Sequence, residues 1–126
     1  MPTITMGTAA ILTLILLVLS YRVSQVRLAK KVNLGDADDP VLIARIRAHG
    51  NFTEYVPMLL ILILLIELAG GNRTGLMVVA ATLVLARLLH AAGMARPAPN
   101  KPRVTGTVLT WLLLLALPVW TFVLML

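Results

Sequence analysis

The chain has 126 residues, 60% of them hydrophobic, with a mean hydropathy of +0.95 and a formal net charge of +6. That apolar share exceeds a soluble domain's, so the chain reads as one membrane domain. It has no cysteine, which excludes disulfides and thiolate metal sites. Its positive charge reads as membrane topology and contact with anionic lipid, because no polar domain exists to present a basic face to nucleic acid.

Four apolar segments follow one another. They run from about Ile4 to Tyr21, Phe52 to Ala69, Gly75 to Ala92 and Val108 to Leu126. Each approaches the roughly 20 residues that cross a bilayer as a helix. Backbone groups in lipid must pair internally, and the period-two alternation of a membrane barrel is absent, so the fold class is an all-α, integral membrane four-helix bundle. The basic residues of the first segment follow its apolar run, so it reads as an anchor with its N-terminus outside and not as a cleavable signal.

The connections are short. Asn33 to Pro40 holds Gly35 and three aspartates, and Asp39-Pro40 has the form of an N-cap followed by a first helical position. Gly70-Gly71-Asn72-Arg73 reads as a turn. Pro97, Pro99 and Pro102 make the third link non-helical. Every cationic side chain except Arg73 falls at one end of the helices. The positive-inside rule then makes the first and third connections cytoplasmic and places both termini outside. Glu67, near the outer end, is expected to pair with Arg73.

The second helix outruns the membrane. Val41 to Ala69 is about 29 residues, or about 43 Å at 1.5 Å per residue, against a hydrocarbon core of about 30 Å. About two turns project into the headgroups, carrying Arg45, Arg47 and His49. Arg47, Asn51, Glu54 and Met58 share one face, and Arg45, His49, Phe52 and Val56 share another. Tyr55 lies beside Glu54, and Pro57 allows a bend just beyond. A carboxylate at the mouth of an apolar segment is costly to bury and marks a functional site. Arg27 at the end of the first helix, Arg87 and His90 in the third, and Lys101 and Arg103 before the fourth bring further polar groups to the same level. Arginines suit carboxylates, and Glu54 suits an ammonium group, so a small zwitterionic peptide meets both demands. No metal site, phosphate-binding loop or Ser/His/Asp arrangement is legible.

Gln25-Val26-Arg27-Leu28-Ala29-Lys30-Lys31 and Arg47-Ala48-His49-Gly50-Asn51-Phe52-Thr53-Glu54-Tyr55-Val56-Pro57 carry a resemblance. They resemble the membrane-associated proteins in eicosanoid and glutathione metabolism, in a bacterial-type version, and the R-x-x-x-N-x-x-E pattern is the specific part. The resemblance implies a homotrimer of four-helix subunits in a bacterial inner membrane. It implies glutathione bound as cosubstrate between subunits near the cytoplasmic face, and a lipophilic substrate arriving from the bilayer. By that resemblance Arg47, Asn51 and Glu54 contact glutathione, and Tyr55, Arg27, Arg87 and His90 match further binding positions. Arg103 matches the thiol-activating arginine, with Lys101 its competitor. The chain departs from the pattern at Met94, where the family often has tyrosine, and at Gly50, where some members carry a second arginine. The implied activity is that of a glutathione transferase or peroxidase. The alternatives are a small four-helix proton-coupled transporter using Glu54 and a catalytically silent glutathione-binding member of the family.

Overall fold

Capping chemistry sets the limits of four helices. In the computed structural model, which describes residues 1–126, they are α1 (Thr3–Lys30), α2 (Pro40–Leu68), α3 (Arg73–Met94) and α4 (Lys101–Met125). Asp39 accepts a hydrogen bond from the Leu42 amide at 2.8 Å and Pro40 opens α2, as the sequence predicts. Asn72 caps α3 through the Gly75 amide at 2.9 Å. Asn100 caps α4 through the Arg103 amide at 3.1 Å, and its own amide donates to the Gly93 and Pro97 carbonyls at 3.0 Å each. Lys31 ends α1 in the left-handed conformation at φ 55°. Lys30 then bonds Asp39 across the connection, tying the end of α1 to the start of α2.

The structure departs from the sequence expectation at Pro102 and at Glu67. Pro102 lies inside the first turn of α4, which starts well before Val108. A proline is tolerated there because its missing N–H would have had no helical partner anyway. Glu67 forms no ion pair with Arg73. It accepts instead from the Ile4 amide at 2.9 Å, the Thr5 amide at 2.7 Å and the Thr5 hydroxyl at 2.6 Å. The reason lies in α1: Pro2 at its N-cap supplies no capping side chain. Its first amides lack helical partners, and the positive end of the helix dipole attracts a carboxylate. Glu67 is thus the N-cap of a neighbouring helix. At Pro57 α2 continues as one helix from Pro40 to Leu68.

All four helices are long and apolar enough to cross a membrane. Central α2 and α3 touch each other and both outer helices, while α1 and α4 do not meet. The core between them draws Leu12 and Leu19 from α1, Val56, Leu59 and Ile63 from α2, Leu83 from α3, and Leu113 and Leu117 from α4. Only 22 of 126 residues are buried, which leaves Leu14, Leu17, Ile61, Leu65 and Leu115 facing outward. In water such a surface would aggregate; against lipid tails it is the expected exterior. Without a hydrophobic drive between helices in lipid, close packing decides which of them associate. At the α3–α4 contact this depends on glycine. A Cβ at Gly93 would stand 2.6 Å from Arg103 Cα, and one at Gly106 would stand 2.6 Å from both the Ala86 carbonyl and the His90 amide.

Candidate functional site

The polar groups gather at the end of the bundle that also carries the α1–α2 and α3–α4 connections. On α2, Arg47 Nη1 lies 3.8 Å from Glu54 Oε1. Their side chains are 61% and 52% exposed, so the pair is a loose surface contact with donor and acceptor capacity to spare. This is the i, i+7 face that the sequence predicts. Tyr55, half-buried, follows Glu54 on the same turn.

Behind that face lies a group that the sequence does not connect to it. Arg87 on α3 is 2% exposed. Its Nη1 donates to Asn51 Oδ1 at 2.9 Å, and its Nη2 donates to the Gly106 carbonyl at 3.3 Å and to the Thr110 hydroxyl. Thr110 in turn donates to the Gly106 carbonyl at 2.7 Å. One guanidinium therefore joins α2, α3 and α4 through neutral acceptors, with no carboxylate within ion-pair distance. A buried charge must be hydrogen-bonded to persist, which is what Asn51 and Thr110 supply. Neither Thr110 nor Gly106 stands out as a site residue in the sequence. The available signal was a threonine four residues after a glycine inside an otherwise apolar helix.

The remaining expected site residues divide by environment. His90 is buried where α3 meets Gly106, and Arg87 and Arg103 both lie within electrostatic range of it. Arg103 is half-buried in the first turn of α4. It heads a groove of 530 Å³ that continues along Val104, Thr107, Val108 and Trp111. Arg27 turns back on its own connection, donating to the Gly35 carbonyl at 2.9 Å and to those of Val32 and Asn33 at 3.5 Å. It also lines a groove of 550 Å³ with Ser24 and Lys31. Met94 packs against the core from the last turn of α3. Arg47, Asn51, Glu54 and Tyr55 are thus gathered on one helix with Arg87 behind them, while Arg27 and Arg103 stand on separate outer helices. No cluster of side chains suits a metal ion.

Four apolar helices with a polar, cation-rich cluster at one end define a small multi-pass membrane protein built as a four-helix bundle. A profile described as the MAPEG family matches residues 5–123, and the chain belongs to that family. Inner membrane protein YecN of Escherichia coli strain K12 is 31% identical over 107 residues, which cover 85% of this chain and 81% of the relative. The protein of the same name from Escherichia coli O6:H1 matches to the same extent. No solved structure matches the chain significantly.

Proposed function

We propose that the protein is a glutathione-dependent membrane enzyme, a transferase or peroxidase acting on lipophilic electrophiles. The observation that carries this reading is the exposed Arg47–Glu54 pair, beside Asn51 at the cation-rich end of the bundle. Glutathione presents carboxylates and one ammonium group, and the pair offers a planar cation and an anion on one face. Membership of a family that includes glutathione transferases and peroxidases supports the reading. The working assembly is a homotrimer with glutathione between subunits, so that Arg27 and Arg103 on outer helices can meet the α2 face of a neighbour. The charge asymmetry and the inner-membrane relative support a bacterial inner-membrane protein with this end in the cytoplasm, where glutathione is available.

In this mechanism Arg47 grips a glutathione carboxylate, Glu54 accepts from the ammonium group, and Tyr55 and Arg27 complete the binding surface. Arg87 acts from behind: by occupying Asn51 Oδ1 it leaves the Asn51 amide nitrogen free to donate to the ligand. His90 supports the same layer from α3. Arg103 stabilises the thiolate. A free thiol titrates near about 8.5, and lowering that by two units takes about 2.7 kcal/mol of differential stabilisation. The thiolate sulfur then attacks the electrophilic carbon; a carbon–sulfur bond forms as the leaving group departs with its electron pair.

Conjugation of glutathione to an aryl halide by the purified protein tests the reaction. Arg103→Ala should lower kcat about a hundredfold while leaving glutathione affinity within a few-fold, the rate equivalent of the same 2.7 kcal/mol. An unchanged kcat would transfer the role to Lys101. One observation favours a second reading, a glutathione-binding protein without turnover: Met94 stands where the family often has tyrosine, and it brings no hydroxyl to the site. Glutathione binding with no conjugation or peroxide reduction would select that reading.

A further inference from the structure

We propose that the small cavity enclosed by α1, α2 and α3 at the cation-rich end binds one monatomic anion of halide size, held by Arg45 and Arg22. The cavity is separate from the Arg47–Glu54 face. Arg22 and Leu19 reach it from α1, Arg45 and Ala48 from α2, and Ala91 and Met94 from α3.

Three observations converge on an anion. The first is an orphaned donor. Arg45 Nη1 is fully enclosed and has no hydrogen-bond partner, a costly state for a charged donor. The second is the charge balance. None of the five carboxylates serves these two arginines: Lys30 holds Asp39, Arg47 lies against Glu54, and the α1 N-terminus holds Glu67. Asp36 accepts from the Asp38 amide, and both belong to the exposed connection. The third is the lining. Apart from Arg22 and Arg45 the lining is alanine, leucine and methionine, so its side chains carry N–H donors and no oxygen. A water molecule there would accept from arginine but find no side-chain acceptor for its own protons, whereas a halide needs donors only.

Size narrows the ligand further. The free volume is 10 Å³, close to that of a single water-sized particle. Tetrahedral oxyanions and glutathione carboxylates attached to their chains are too large. The neighbouring alanines keep the space open: Ala48 is buried, and Ala91 faces it from α3. The anion neutralises a pair of like charges brought together by helix packing, and so joins α1, α2 and α3 as Arg87 joins α2, α3 and α4.

The test uses the full-length protein in detergent. Thermal unfolding is followed while sodium bromide replaces sodium gluconate at constant ionic strength, and crystals grown in bromide are measured for anomalous scattering. The expected result is a saturable rise in Tm with bromide and an anomalous peak beside Arg45 Nη1. Arg45→Gln should abolish the bromide-dependent rise, and Arg47→Gln should retain it. If Arg45→Gln does not fold, Ala91→Leu fills the cavity while keeping both arginines, and should abolish the rise in its place. Equal Tm in bromide and gluconate would overturn the proposal. So would an equal bromide response in the cavity-filled variant, or a cavity holding water with no anomalous signal.

Discussion

At the scale of single residues, Arg47 and Glu54 differ from Arg87 in what they can still do. The first two are more than half exposed and make only a 3.8 Å contact with each other. Arg87 is enclosed, and both terminal nitrogens of its guanidinium are engaged. Substitution at the former should change ligand binding with little effect on folding; Glu54→Gln should weaken glutathione binding by about tenfold or more, the value of one charge-assisted hydrogen bond. Substitution around Arg87 should first change stability. Thr110→Val removes one acceptor from a buried guanidinium and should cost about 1–3 kcal/mol, measured by chemical denaturation in detergent. If Thr110→Val left stability unchanged and abolished glutathione binding, Thr110 would belong to the ligand surface instead.

At the scale of the helices, the α3–α4 contact depends on Gly93 and Gly106, and the α1–α2 connection on an ion pair. Gly106→Ala places a methyl group against the Ala86 carbonyl and the His90 amide. It should destabilise the bundle by about 1–3 kcal/mol, as overpacking commonly does, visible as a lowered unfolding midpoint. In the connection, the hydrogen bond from Lys30, with help from the Leu42 amide, holds the Asp39 carboxyl below its usual value of 3.8. A group depressed in the folded state stabilises it above the unfolded value and loses that contribution as pH falls through the folded value. The Asp39 contribution is therefore complete at neutral pH and is lost only as pH falls below 3.8 and through the lower folded value. Asp39→Asn should lower Tm at neutral pH and narrow the gap to wild type in acid; a gap that is constant with pH would show that the carboxylate charge is immaterial.

At the scale of the whole molecule, four apolar runs were enough to read four helices, because a chain in lipid must satisfy its backbone within each segment. Asp39-Pro40 and the Arg47–Glu54 face were legible for the same local reason: cap and face are set by neighbours in sequence. Contacts between helices were not. Proximity in sequence points Glu67 to Arg73, but the uncapped start of α1, far away in sequence, takes it. The sequence presents Asn51 only as a ligand group; its bond to Arg87 exists because α3 packs against α2. Three prolines obscured the start of α4, although Asn100 before Pro102 carries the cap signal. The two deepest polar features, the Arg87 junction and the Arg22–Arg45 cavity, each need three helices to exist. The proposed homotrimer extends that dependence to neighbouring subunits, and crosslinking of the purified protein should yield a trimer; a uniform monomer would require one subunit to complete the site alone.

Equilibrium binding of glutathione to the purified protein, measured calorimetrically for wild type, Arg47→Ala and Glu54→Gln, tests the site most directly. Saturable binding in wild type that both substitutions weaken by about tenfold or more, with unfolding temperatures unchanged, is the predicted result. An absence of binding at millimolar glutathione, or binding unaffected by either substitution, would contradict the assignment of the Arg47–Glu54 face as a glutathione site.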